Sequence, residues 1–247
     1  MTSEPVVHAA SRTHVGLVRR RNEDCFYQGR WLYAVADGLG GHVAGDIAST
    51  TAINAVKAYD QLVSAADLAD LLGRAINDAN NALRQRVRQE PELAGMGTTM
   101  IAALWSGDTA VLANVGDSRA YLMRDFRAAH SPLIRVSEDH IYRHLVSDAG
   151  DVPDLPEKLS RFLDGRTDGR SPDLTVVQLR AGDRLLLCSD GLSSYVPADL
   201  IRSALNSADS PPHVADALIA TAIDHGGHDN VTVMVIDIAG QALDRRR

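Results

Sequence analysis

Cysteine is nearly missing from this sequence. The 247-residue chain has two, Cys25 and Cys188, and no CxxC pair, which leaves neither a disulfide framework nor a cysteine-built zinc site. Both lie in apolar sequence close to an acid, and each is expected to be a buried free thiol in a cytoplasmic protein. Positive charge is short as well: 25 lysines and arginines face 32 aspartates and glutamates, for a net charge of −7. Nothing in that balance favours nucleic acid or an anionic membrane as a partner. The runs Arg19-Arg20-Arg21 and Arg245-Arg246-Arg247 are too short to reverse it. No apolar stretch reaches the ~18 residues of a membrane span, and the N-terminal MTSEPVVHAASR has no signal-peptide core. GxGxxG and Walker loops are absent, which counts against nucleotide-binding folds. Linkers rich in Pro, Gly or Ser are absent too, as are internal repeats. Residues 1–247 therefore read as one globular domain, 45% hydrophobic and 23% charged, and a monomer is expected.

What is present is a set of short apolar runs. Residues 31–36 (WLYAVA) suit a buried strand that ends on Asp37. Residues 98–105, 109–115, 119–124, 183–189 and 231–238 read as further strands, broken at Ser106-Gly107 and at Gly116-Asp117-Ser118. Helical spacing appears over 43–62, through Val43, Ile47, Ala52, Val56 and Tyr59. It is cleaner over 66–89, through Leu68, Leu72, Ile76, Ala79, Leu83 and Val87. A helix from about Pro212 to Asp224 follows, proline fitting its first turn. Residues 138–173 read as a long surface excursion over the molecule, a flap or lid. Strands in neighbouring runs and helices in pairs favour antiparallel sheets with helices packed on them, an α+β fold.

Four Asp-Gly pairs occur. Asp164-Gly165 and Asp168-Gly169 sit in polar sequence and read as turns. Asp37-Gly38 and Asp190-Gly191 instead end apolar strands, where a lone carboxylate is costly. Asp229 opens a strand, Asp117 occupies a tight turn, and Glu23-Asp24 follow the arginine run. Taken singly, each acid is explained by a cap or turn. Jointly, acids at inner strand ends repel one another unless a cation is present. Oxygen ligands without a His–Cys set select Mg2+, Mn2+ or Ca2+ over Zn2+.

The motifs RRRNED, VADGLGGHVAGD, GMGTT, NVGDSRAYL, LLCSDGL and DNVTV occur in that order between residues 19 and 233. This set resembles the bacterial branch of the metal-dependent Ser/Thr protein phosphatases, the PPM or type 2C family. The resemblance implies a four-layer αββα sandwich, two facing antiparallel β-sheets flanked by helix pairs. It also implies two or three Mn2+ or Mg2+ ions. Asp37 would bridge two of them, Asp190 and Asp229 would complete the first, and the Gly38 carbonyl would serve the second. Glu23 would hold waters, Asp24 would support the shell, and Asp117 with Asp190 would hold a third ion. Arg19 matches the phosphate-binding arginine, with Arg20 and Arg21 as solvated neighbours. The implied reaction is hydrolysis of phosphoserine and phosphothreonine on proteins by metal-activated water, opposing a bacterial Ser/Thr kinase.

Two departures stand out. A histidine that often follows the first DG in eukaryotic relatives, and is proposed there as general acid, is Leu39 here. His42 reads as structural, and His225 and His228 as loop residues. The 140–173 segment is rich in Asp, Gly and Pro rather than patterned like the usual flap, and Asp139, His140, Lys158 and Arg161 read as solvated loop positions, with substrate contact as the alternative. Two other functions stay open: a catalytically weak relative that binds phosphoproteins as a regulator, and a hydrolase of small phosphoesters.

Overall fold

A computed structural model describes residues 6–40, 44–128, 131–145, 158–168 and 171–239. Among the described residues, eleven strands form two antiparallel sheets. One sheet has the order β1-β11-β10-β7-β8: β1 Val6–His14, β11 Val231–Ala239, β10 Arg184–Cys188, β7 Arg119–Met123 and β8 Leu133–Arg135. The other has the order β2-β3-β5-β6-β9, with the two-residue β4 attached to β3. Its strands are β2 Asp24–Gln28, β3 Leu32–Leu39, β5 Met100–Ser106, β6 Thr109–Val115, β9 Asp173–Gln178 and β4 Gly97–Thr98. Helices α1 Gly45–Val56 and α2 Leu68–Gln89 cover the second sheet. The short α3 Asp190–Ser193, with α4 Ala198–Leu205 and α5 Pro211–Asp224, covers the first.

Three apolar layers hold these four together. Between helices α1 and α2 and their sheet lie Ala34, Ile53, Ile76 and Met100. Between the sheets lie Val35, Ile101, Leu187 and Met234, with Tyr33 stacked on Trp105 at 4.3 Å. Between the first sheet and α3–α5 lie Leu186, Val233, Ile201 and Leu218. Alternate residues of one strand thus enter different layers: Leu32, Ala34 and Ala36 face the helices while Tyr33 and Val35 face the other sheet. Antiparallel strands often show a wet face and alternate in polarity. In β3, β5, β6, β10 and β11 both faces are dry, so these strands read as unbroken apolar runs.

The expected αββα sandwich is the observed fold. Several boundaries differ. The expected strand 31–36 extends through Asp37 and Gly38 to Leu39, because β4 pairs Gly38 with Thr98 and Leu39 with Gly97. Expected strand 98–105 splits into β4 and β5. The first expected helix ends at Val56, followed by one 3-10 turn, Lys57–Tyr59, and its proposed start at Val43 lies outside the described residues, as does His42. Proline enters α5 at its first position, Pro211. Buried Asn80 on α2 accepts from the Asp164 and Gly165 amides and donates to the Arg166 carbonyl, fixing the first polar Asp-Gly pair as a turn. The 138–173 excursion is anchored rather than free-standing in its described parts. Leu163 is fully buried and bridges to Thr98, and Ile141 bridges to Leu159.

Candidate active site

The site is assembled at one end of the sandwich from both sheets. Asp24 on β2 and Asp37 on β3 are direct cross-strand partners. Asp190 opens α3 two residues after β10, and Asp229 stands two residues before β11. Asp117 lies in the turn from β6 to β7, where the chain passes from one sheet to the other. A cavity of about 700 Å3 is lined by Arg19, Glu23, Asp37, Asp117, Asp190 and Asp229, with Gly38 and Leu39 among its other walls. A second cavity of about 660 Å3, beside Ile101, Leu112 and Asp173, contains none of these acids.

Residues that sequence reasoning gave no role hold the acids in place. The Asp37 amide donates to Thr99 Oγ1 (3.0 Å), and Thr98 Oγ1 donates to the Asp37 carbonyl (2.8 Å). Thr99 Oγ1 also bonds Ser118 Oγ at 2.8 Å, so one hydroxyl ties the Asp37 strand to the Asp117 turn. Ser189 Oγ donates to Asp24 Oδ2 at 2.8 Å. Asn230 Oδ1 accepts from the Glu23 amide, and its Nδ2 donates to the carbonyls of Val15 and Arg21. That side chain fixes the 15–23 loop that carries Arg19. The glycines of both Asp-Gly pairs are contact points: a Cβ on Gly38 would strike the Gly45 carbonyl, and one on Gly191 the Asn230 carbonyl. The chain after each acid must be bare for the sandwich to close.

The electrostatics are those of crowded anions. Burial first, then Asp24, Asp190 and Asp117, push the Asp37 carboxyl well above the usual range. Asp24 is raised to about 7 by burial, with Asp190 and Asp229 adding to it. Burial and Asp190 likewise raise Asp117 to about 7. Asp190 rises through burial and Asp229, and Glu23 through burial and Asp46. Among the described residues only Arg19 pairs directly with one of them, with Nη2 at 2.6 Å from Asp229 Oδ2. Burial works against its charge, but Asp229 outweighs that and its pKa is raised.

Among the described residues no three His, Cys, Asp or Glu side chains are drawn together closely enough to hold an ion as they stand. The acids ring the cleft instead of closing on one point. Yet Asp24 Oδ1 and Asp190 Oδ1 are buried with no hydrogen-bond partner. Carboxyls forced upward by one another, with orphaned oxygens, lack positive charge. An all-oxygen donor set of this kind fits hard divalent cations.

Three expectations change. Asp139 and His140 are buried, not solvated. Asp139 takes three bonds from Arg119 and an ion pair from Arg135, while Arg119 also reaches the Ser193 carbonyl on α3. His140 grips the turn before Asp117: its amide donates to the Gly116 carbonyl, and its Nδ1 accepts from the Gly116 amide. That leaves its Nε2 to donate to Asp173 at 3.1 Å. Arg161 is engaged too, on Asp173 and the Ser171 carbonyl, whereas Lys158 is exposed as expected. Arg20 and Arg21 are exposed, as expected, and line the cleft beside Arg19. His225 caps the end of α5 through the Thr221 carbonyl and His228 is an exposed loop residue against Tyr195, both as expected. Cys25 and Cys188 are free thiols, the first half-buried and the second buried.

Comparisons with known proteins converge. A family model described as protein phosphatase 2C matches residues 14–221. Serine/threonine protein phosphatase PstP of Mycobacterium tuberculosis is 40% identical over 245 residues, covering 94% of this chain and 45% of that protein. The chain thus spans about half the length of the first curated relatives it matches. Serine/threonine phosphatase stp of Listeria monocytogenes is 35% identical over 249 residues, covering 94% of this chain and 96% of that one. Among solved structures, the catalytic domain of PstP in complex with two manganese ions superposes with a TM-score of 0.85. It is 40% identical and covers 96% of this chain and 100% of that one.

Proposed function

The chain belongs to the protein phosphatase 2C family, and on that premise we propose that its acidic cleft hydrolyses phosphoserine and phosphothreonine esters on proteins. The single observation that carries the reading is the meeting of Asp37, Asp117, Asp190 and Asp229 with Arg19 in one cleft. Asp37, Asp190, Asp229 and the Gly38 carbonyl would hold two Mn2+ or Mg2+ ions, with Glu23 and Asp24 supporting them. Asp117 and Asp190 would hold a third. When bound, such ions activate water as a nucleophile and neutralise phosphoryl oxygens.

The chain's own residues supply the rest. Arg19 holds Asp229 through Nη2 alone, which leaves its other N–H groups to meet phosphoryl oxygens. Its side chain is 56% exposed and can meet a substrate at the cleft mouth. A planar fork suits two oxygens better than an ammonium does. Thr99 and Asn230 keep Asp37, Glu23 and Arg19 at fixed spacing, which is how positioning contributes to rate. Leu39 lines the cleft and donates no proton, so the leaving alkoxide takes its proton from water there. Residues 1–247 would form one phosphatase domain with a flap or lid segment at about 138–173, of which Leu159 lines the cleft. It acts in the cytoplasm as a monomer, on phosphorylated proteins that include a cognate Ser/Thr kinase and that kinase's substrates. Among the described residues no helix is long and apolar enough to cross a membrane.

The test is p-nitrophenyl phosphate and phosphothreonine-peptide turnover with Mn2+, with and without EDTA. Activity should vanish with chelator, and Asp37→Asn and Asp190→Asn should each lose at least ~100-fold. Turnover indifferent to EDTA would end the proposal.

A further inference from the structure

The arginine run holds more than the phosphate-binding residue. Arg19, Arg20 and Arg21 all line the same cavity. Arg19 is committed to Asp229 at 2.6 Å. Arg20 and Arg21 are exposed, and neither guanidinium makes a hydrogen bond or ion pair with any described residue. Their backbone, by contrast, is tied down. Leu17 donates its amide to the Gly227 carbonyl at 2.7 Å, and Asn230 holds the carbonyls of Val15 and Arg21 at 2.9 and 2.8 Å. Two cationic heads are thus presented on an anchored loop, on the wall of a cleft, in a chain whose net charge is −7.

We propose that Arg20 and Arg21 are specificity-determining residues that bind a second anion on the substrate, beside the phosphoester held at Arg19. The anion is either a carboxylate side chain or a second phosphoryl group. This rests on the phosphatase reading above. An extended peptide advances roughly 3.3 Å per residue, so the anion belongs one to three positions from the phosphorylated residue. Arginine forks recognise both anion types through paired, charge-assisted hydrogen bonds. Because the guanidinium groups are exposed, the preference should weaken as salt rises. Glu23 lies close enough for Arg21 to lower its pKa, so the rival explanation is that the pair offsets the cleft's own carboxylates.

The experiment compares four phosphothreonine peptides of one sequence, with Mn2+ and the whole chain. They carry two Asp, two Asn, two Lys or a second phosphothreonine within three residues of the first. The wild type should favour the Asp peptide over the Asn peptide about 10-fold in kcat/KM, mainly through KM, and should disfavour the Lys peptide. An equal gain from the second phosphothreonine identifies any nearby anion as sufficient, and a gain from that peptide alone identifies phosphoryl as the recognised group. Arg20→Gln with Arg21→Gln should abolish the ranking, and lysine at both positions should restore part of it. Turnover without any ranking in the wild type overturns the inference and leaves the phosphatase reading intact. So does a double glutamine variant that slows every peptide equally with its ranking unchanged. A chain that turns over none of the four peptides sinks both.

Discussion

Asp24 and Asp37 stand directly opposite each other across β2 and β3, two carboxyls on one face of a sheet. Like charges in that position destabilise a strand pair, and here burial aggravates it. The pairing makes structural sense only with positive charge between or beside them. Replacing Asp24 by Asn should therefore raise the melting temperature of the metal-free protein while reducing Mn2+ affinity or Mn2+-dependent activity by about 10–100-fold, the usual effect of removing an outer-shell partner. Differential scanning fluorimetry in EDTA, with a Mn2+ titration of activity, reads both. A variant less stable than wild type in EDTA would contradict the finding.

The same acids set a pH dependence. Asp24 and Asp117 have folded-state pKa values near 7 against an ordinary 3.8. An acid raised in the folded state favours folding at low pH: its contribution is complete below about 3.8 and gone as pH passes about 7. In EDTA, stability to urea should fall between about pH 4 and pH 7, and Asp24→Asn with Asp117→Asn should flatten that fall. Asp60 acts in a different window. Burial would raise it, but the amides of Arg30, Trp31 and Leu32 and the Tyr27 hydroxyl outweigh that and lower its pKa. Its contribution is present above the ordinary carboxylate pKa and disappears only as pH falls below it.

Arg184 is 0% exposed. It meets Asp237 through two bonds, donates to the carbonyls of Leu205, Ser207 and Asp209, and lies 3.8 Å over the Phe126 ring. Arg184→Ala should cost about 3–5 kcal/mol in urea unfolding, because it strands a buried carboxylate. Changing Asp237 to a hydrophobic residue of similar size together with Arg184→Met should recover much of that loss. If the single variant unfolds at the wild-type midpoint, this cluster is not what joins α4 to the sheet.

Asn230→Ala removes three hydrogen bonds to the 15–23 loop at once. We expect a stability loss of about 1–3 kcal/mol from the groups left unpaired. The kcat of the proposed hydrolysis should fall as well, since the loop carries Arg19 and Glu23. Asn230→Asp would keep the acceptor for the Glu23 amide and lose both donations, and should fall between the two.

What could be read beforehand follows from burial. Strands β3, β5, β6, β10 and β11 are dry on both faces and stood out as apolar runs. The edge strand β9, DLTVVQ, is exposed at all but one position, and β2 begins on Asp24, so neither carries a periodic signal. Helix α3 has four residues, too few for one. The acids were legible because their motifs come as an ordered set. Thr99, Ser189 and Asn230 were not assigned roles, because a hydroxyl or amide that bridges distant strands has no local pattern. Asp139 and His140 misled for the same reason: polar residues in a polar stretch look solvated until Arg119 and Gly116 are found beside them.

The carboxyls of the cleft come from two sheets that share no backbone ladder. Asp24 and Asp37 ride on one, Asp190 and Asp229 on the other. Their separation is therefore a readout of how thick the filling between those sheets is. A bulkier side chain at Ala103 or Ala120, both fully buried in that filling, would pry the two ligand sets apart without touching either. Sequence drift far from the cleft can in this way retune the span between its two groups of carboxylates.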